Sequence, residues 1–217
     1  MKAVLFDFGG VITEPLGSVL GALATTAGAD PAEFAALLIG DYDADGHPWN
    51  RLERGEIAFA ELCEWARAEG VRRGWNLDLS PAIDHLAALP FRPAVLDRAA
   101  ELRRRGLRTA VVTNSFAEVT ALWRARIDID ALFDTVVDSC EVGVRKPDPR
   151  IYRLTLERLG GIDPGDAVLL DDFEVNLAGA RAIGLHTILV GPDAGAALDE
   201  LERLIESDDD LRPTVVS

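Results

Sequence analysis

Four short polar segments, each tied to an apolar run or a stiff turn, carry the chemistry this sequence can do. Ala3-Val4-Leu5-Phe6 ends in the carboxylate of Asp7 and then turns through Phe8-Gly9-Gly10-Val11. Val111-Val112 leads into Thr113-Asn114-Ser115, a set of hydroxyl, amide and backbone N–H groups of the kind that bind phosphate oxygens. Lys146 sits in Gly143-Val144-Arg145-Lys146-Pro147-Asp148-Pro149, a turn stiffened by proline. Leu169-Leu170 ends in Asp171-Asp172, with Asn176 four residues further on. Two adjacent acids after an apolar run do not read as a solvated face, and buried like charges are costly unless a cation compensates them. Carboxylates without neighbouring His or Cys point to a hard cation, with Mg²⁺ the natural candidate.

The elements that must position these groups alternate. Apolar runs at 3–6, 108–113, 135–137, 167–170 and 187–190 read as buried strands, and the first is near-continuously hydrophobic, as parallel strands are. Helical patterns at 93–105, 116–127, 149–159 and 175–183 separate the later ones. Between the first strand and the rest, residues 16–90 read as helices only, at 16–27, 31–38, 58–68 and 81–89, with Asp30-Pro31 and Ser80-Pro81 as cap-plus-proline starts. This order predicts an α/β fold, a Rossmann-like three-layer sandwich around a mostly parallel five-stranded sheet. Residues 1–14 and 92–217 would form the core, and 15–91 an inserted all-α helical-bundle cap over the carboxyl edge of the sheet, where open α/β sheets bind ligands.

Composition narrows the partners. The 217 residues, 48% hydrophobic and 27% charged, are ordinary for a globular protein. No apolar stretch approaches the roughly 20 residues of a membrane span, and the opening residues run straight into a strand instead of forming a signal peptide. A net charge of −15, from 37 acids against 22 bases, argues against nucleic acid and anionic membranes as partners. An anionic ligand would therefore need local attraction from a metal ion, a lysine or helix N-termini. Cys63 and Cys140 lack metal-ligand spacing and read as packing residues in a reducing, cytoplasmic setting. The acidic stretch Glu206-Ser207-Asp208-Asp209-Asp210 reads as a frayed, solvated end.

In this order, Phe6-Asp7-Phe8-Gly9-Gly10-Val11, Val112-Thr113-Asn114, Val144-Arg145-Lys146-Pro147 and Leu169-Leu170-Asp171-Asp172 resemble the haloacid dehalogenase (HAD) superfamily across nearly the whole chain. The branch it resembles carries a helical cap after the first motif. The run Asp138-Ser139-Cys140-Glu141-Val142-Gly143 into Lys146-Pro147 is similar to the phosphatase-like domain of bifunctional soluble epoxide hydrolases. The resemblance implies that Asp7 attacks phosphorus to give an aspartyl-phosphate that water hydrolyses. It implies that Thr113 and Asn114 hold phosphoryl oxygens and that Lys146 balances charge. It also implies that Mg²⁺ is bound by Asp7, the Gly9 carbonyl and Asp172, with Asp171 as ligand or neighbour. The substrate would be a small phosphorylated metabolite; oligomeric state is not legible.

Gly9 departs from the family pattern, in which an Asp there protonates the leaving oxygen and later deprotonates the attacking water. Such proton transfer is worth about 10²–10⁴-fold. Three outcomes stay open: a substitute acid such as Glu14 or one from the cap; a substrate needing little protonation, such as an acyl, aryl or anomeric phosphate; or a catalytically weak or inactive regulatory protein that binds phosphate and metal. The Asp-x-Gly-Asn-Val motif of some bacterial sugar-phosphate phosphatases it resembles favours retained activity. Dehalogenase chemistry shares the nucleophile, but the Asp171-Asp172 pair argues against it. In the cap, His47, Trp49, Arg51 and Arg54 precede Gly55-Glu56-Ile57 in what looks like a substrate-facing loop. Trp65, Trp75 and Trp123 read as packing residues, and His85 and His186 as structural.

Overall fold

The computed structural model describes residues 1–40, 42 and 45–210, the last three as backbone. Among the described residues five strands form one sheet: β1 (Ala3–Phe6), β2 (Arg108–Thr113), β3 (Thr135–Asp138), β4 (Ala167–Asp171) and β5 (His186–Leu189), in the order β3-β2-β1-β4-β5. All pairings are parallel, with Ala3 opposite both Arg108 and Ala167. The central place of β1 follows from its side chains, all of which are buried.

The twofold alternation of strand side chains assigns each face a layer. Val4, Phe6, Val111, Val168 and Leu170 pack on one side with Val95, Ala99 and Leu102 of α6 (Pro93–Arg104) and Leu198, Leu201 and Ile205 of α12 (Gly195–Asp210). Ala3, Leu5, Ala110, Val112 and Leu169 face the other way, onto Ile151, Tyr152 and Leu156 of α10 (Pro149–Arg158) and Leu177 and Ala180 of α11 (Glu174–Arg181). The three layers expected from the alternating pattern are therefore present. The acidic stretch expected to fray instead continues α12, which Leu201 and Ile205 anchor to the sheet.

Between β1 and α6 the described residues form five α-helices: α1 (Gly17–Ala27), α2 (Pro31–Ile39), α3 (Pro48–Glu53), α4 (Phe59–Arg73) and α5 (Ala82–Ala87). Their apolar residues, among them Val19, Leu23, Phe34, Leu38, Leu52 and Leu62, make a core of their own. The Asp30 side chain accepts from the Ala32 and Glu33 amides at the start of α2. At α5 the expected cap differs: Ser80 bonds back to Asp78, and the helix starts after Pro81. The helix α4 runs past its expected end to Arg73, through Gly70, where an added Cβ would lie 2.7 Å from that of Leu77. The short α3 has no counterpart among the expected helices.

The chain crosses into and out of this helical block at one antiparallel bridge, Thr13 to Phe91. Glu14 N–H donates to the Pro90 carbonyl at 2.9 Å and Arg92 N–H to that of Ile12 at 2.8 Å. A second contact lies at α7 (Ala117–Arg124), where Phe116 stacks on Phe59 with ring centroids 5.3 Å apart.

Candidate active site at the carboxyl edge of the sheet

At the end of β1 the chain makes one tight turn, Phe8–Ile12, closed by a hydrogen bond from Thr13 N–H to the Phe8 carbonyl at 3.0 Å. Asp7 caps it: Oδ1 accepts from the Phe8 amide at 2.7 Å. Gly10 adopts φ +74°, and a Cβ there would fall 2.0 Å from Asp172 Oδ2, so both the backbone conformation and the close approach require glycine.

Past the short α8 (Ile129–Leu132) and β3, Lys146 enters from the turn after α9 (Ser139–Val142) and is fully buried. Its Nζ lies 2.8 Å from Asp7 Oδ1 and 2.6 Å from Asp171 Oδ2. Its amide donates to Asn114 Oδ1 at 2.8 Å, which ties the end of β2 to the lysine turn. Burial opposes the ammonium charge, but Asp171 and Asp7 outweigh it and hold Lys146 above its ordinary pKa.

The adjacent acids differ in environment. Asp171 is fully buried and saturated: Oδ1 accepts from Phe173 N–H at 2.8 Å and Asn176 Nδ2 at 2.9 Å, and Oδ2 from Lys146 and Asn176. Asn176 thereby fixes Asp171, and its own carbonyl takes the Tyr152 hydroxyl at 2.7 Å. Asp172 has a buried Oδ1 with no hydrogen-bond partner among the described residues. Oxygens of Asp7, Asp171 and Asp172 lie within 4.8 Å of one another. Burial, with Asp171 and Asp172 adding to it, pushes Asp7 up against the opposing pull of Lys146. Burial and Asp171 push Asp172 up to about 6. Three carboxylates face one ammonium, a deficit of two positive charges that a divalent cation would fill. The all-oxygen donor set and the unpartnered Asp172 Oδ1 fit a hard ion such as Mg²⁺.

Thr113 is buried at the end of β2, and Asn114 Nδ2 donates to the Lys146 carbonyl and to the Tyr42 hydroxyl, each at 3.0 Å. A cavity of about 70 Å³ touches Gly9, Thr113 and Asn114 and extends beneath α3 to Trp49 and Glu53. Trp49 is thus brought to the site. Arg51 is exposed and pairs with Glu56 at 3.4 Å. Arg54 pairs with Glu56 at 2.6 Å and lines a separate outer cleft of about 470 Å³ with Tyr42, Arg145 and Arg150. Glu14 is exposed at the crossing to the helical block, 3.5 Å from Arg92, and does not line the cavity. Both cysteines are half-buried free thiols, and burial together with Asp138 pushes Cys140 up to about 12.

Tyr42, Glu53 and Arg145 were not singled out by the sequence. Arg145 Nε donates to Glu53 Oε2 at 2.7 Å, its Nη1 to the Tyr42 carbonyl at 2.8 Å, and its guanidinium lies over the Tyr42 ring at 4.2 Å. Tyr42 also stacks on Phe173, centroids 5.6 Å apart. The available signal was the place of Arg145 beside Lys146; Glu53, between Leu52 and Arg54 in a charged run, gave none.

Residues 1–184 match the haloacid dehalogenase-like hydrolase family. The chain belongs to that family. It is 33% identical over 222 residues to rat bifunctional epoxide hydrolase 2, covering 94% of this chain but only 39% of the relative's length. It is also 34% identical over 157 residues to a phosphatase of Mycobacterium tuberculosis, 71% of this chain and 66% of that protein. A HAD family enzyme of Bacteroides thetaiotaomicron, solved as a magnesium complex, superposes with a TM-score of 0.65 at 21% identity, covering 94% and 98% of the two chains, and shows the shared fold. The chain is therefore a HAD-like hydrolase.

Proposed function

We propose that this hydrolase is an Mg²⁺-dependent phosphatase that acts on a small phosphorylated metabolite through an aspartyl-phosphate at Asp7. One observation carries the reading: Lys146 Nζ bridges Asp7 and Asp171 while the neighbouring Asp172 has a buried oxygen with no hydrogen-bond partner among the described residues. An anionic phosphoryl group and a divalent cation complete that charge arrangement. A haloacid, which has no phosphoryl group to share with a cation, would leave the Asp172 oxygen unused.

Phe8 N–H and Lys146 both hold Asp7 Oδ1, which leaves Oδ2 to attack phosphorus. The Oδ2–P bond forms as the bond from phosphorus to the leaving oxygen breaks, and the leaving oxygen takes a proton. Water then attacks phosphorus, the P–Oδ2 bond breaks, and Asp7 returns as carboxylate with inorganic phosphate released. Thr113 Oγ1 and Asn114 Nδ2 would donate to phosphoryl oxygens, for which the Tyr42 hydroxyl must give up its bond to Asn114. Asp171, held by Asn176 and the Phe173 amide, orients Lys146. Asp7, the Gly9 carbonyl and Asp172 would hold Mg²⁺, which supplies charge neutralisation at the phosphoryl oxygens when bound.

The division into a core of 1–14 and 92–217 and a cap of 15–91 is part of this reading, supported by the separate apolar core of the helical block. No described helix is long and apolar enough to cross a membrane. The free thiols of Cys63 and Cys140 support a cytoplasmic protein. The test is a panel of phosphate monoesters with Mg²⁺, with chelator, and with 2-haloacids followed by halide release. Metal-dependent phosphate release is expected. Halide release, or phosphate binding without turnover of any ester, would replace the reading.

A further inference from the structure

Gly9 removes the side chain that would carry a proton, yet not for want of space. The atoms nearest to a Cβ at Gly9 would be those of the Leu16 side chain, at an ordinary contact distance of 3.8 Å. The space beside it is the cavity under α3, and among the side chains that line it one is a carboxylate, Glu53. We propose that Glu53, reaching down from the helical block into the cavity shared with Gly9, Thr113 and Asn114, is the proton donor to the leaving oxygen and the base for the attacking water. This rests on the phosphatase reading above.

Glu14 and Tyr42, two other groups that could carry a proton, are placed differently. Glu14 faces solvent beside Arg92 and lies outside the cavity. The Tyr42 hydroxyl meets Asn114, but its ring lines the outer cleft and not the space at Gly9. Glu53 is buried, with Trp49 Nε1 donating to Oε1 at 2.8 Å and Arg145 Nε to Oε2 at 2.7 Å. Each carboxylate oxygen has two lone-pair sites, so these bonds leave a site on each for a proton.

The groups facing Glu53 give it two opposed influences. Burial raises its pKa, while Arg145, Trp49 and Lys146 lower it, and burial prevails, so Glu53 holds a proton more readily than an exposed glutamate. Once the proton has passed to the leaving oxygen, Arg145 and Trp49 stabilise the carboxylate that remains. That carboxylate then takes a proton from the water that hydrolyses the aspartyl-phosphate, and the cycle closes with no net proton change on Glu53.

The test compares p-nitrophenyl phosphate, whose leaving group needs no protonation, with phenyl phosphate, whose leaving group benefits from it. In the holoenzyme with Mg²⁺, Glu53→Gln should lower kcat/KM, which reads phosphoryl transfer to Asp7 and not the hydrolysis step common to both esters, by about 10²-fold or more on phenyl phosphate and by less than about tenfold on p-nitrophenyl phosphate. Adding Gly9→Asp to Glu53→Gln should recover phenyl phosphate turnover. Equal losses on both esters, or none on phenyl phosphate, would overturn the proposal. Because Glu53→Gln also disturbs the Arg145 pair, the wild-type rate across a series of substituted phenyl phosphates gives a second reading. A weak dependence on leaving-group pKa is expected, and a steep one overturns the proposal whatever the variant does. Failure of the wild type to release phosphate from p-nitrophenyl phosphate would instead remove the phosphatase reading itself.

Discussion

Two regions meet over Gly9, and they are built by opposite means. The sheet edge is assembled from residues at strand ends: Asp7 follows β1, Asp171 ends β4, and Lys146 is fixed between them by two bonds and full burial. The underside of the helical block is assembled from distant residues, as when Glu53 of α3 meets Arg145, 92 positions away in sequence. Strand ends are fixed by the register of a buried sheet. The Glu53–Arg145 pair instead depends on how the block docks. Asp7 and Lys146 therefore belong to the part fixed by the sheet, while Glu53 belongs to the part that rests on a bridge at Thr13 and the contacts of α7. Damage to one region should be separable from damage to the other.

The largest effect should come from the sheet side. Asp7→Asn removes the attacking oxygen while leaving an acceptor for Phe8, and should cut kcat on p-nitrophenyl phosphate by on the order of 10⁴-fold. Steady-state phosphate release measures it. Lys146→Met leaves Asp7 and Asp171 without their cation, and breaking such a buried pair costs about 3–5 kcal/mol. Equilibrium unfolding in urea reads that loss; an unchanged midpoint would show that the lysine is not a stabilising bridge.

Metal binding should couple this edge to pH. Burial and Asp171 hold Asp172 at about 6, against 3.8 for an unperturbed group. The folded state thus binds that proton more tightly than the unfolded state. Protonation favours folding below this range, and the contribution is lost as pH rises from about 4 through about 6. Mg²⁺ binds the deprotonated form, so the thermal shift it produces should be small near pH 5 and large near pH 8. The gain would reach about 2.7 kcal/mol at a hundredfold excess over Kd. Differential scanning calorimetry with and without Mg²⁺ at both pH values checks the sign.

The smallest effect belongs to the docked side. Tyr42→Phe removes the hydroxyl that occupies Asn114 Nδ2, a bond of the class worth about 0.5–1.5 kcal/mol. Inorganic phosphate should bind the variant more tightly by up to about tenfold, measured by calorimetry. Weaker binding would place Tyr42 among the groups that hold phosphate.

This difference in construction also governs what the sequence revealed. Five apolar runs and the polar residues after them marked β1 to β5 and Asp7, Thr113, Asn114, Asp171 and Asp172, because a buried strand turns polar where it stops; Lys146 was marked by its proline-stiffened turn. The helix α3 escaped notice because six residues show little periodicity and it starts at His47, whose imidazole accepts from Trp49 N–H at 3.2 Å as an unusual cap. Glu53 escaped with it. Its burial arises from the docking of α3 over the sheet edge, and no local pattern separates it from the exposed Arg51 or Glu56. The acidic end of α12 misled for the converse reason: its charges suggested solvent, while Leu201 and Ile205 on the other face kept it helical.

The central claim is that Asp7 Oδ2 takes the phosphoryl group. Rapid acid quench of the Mg²⁺-loaded enzyme with p-nitrophenyl phosphate, followed by peptide mass mapping, tests it most directly. One phosphoryl group, labile to hydroxylamine, should appear on the peptide containing Asp7 in wild type and be absent in Asp7→Asn. Turnover in wild type with the label on another residue, or phosphate release undiminished in Asp7→Asn, would contradict the account.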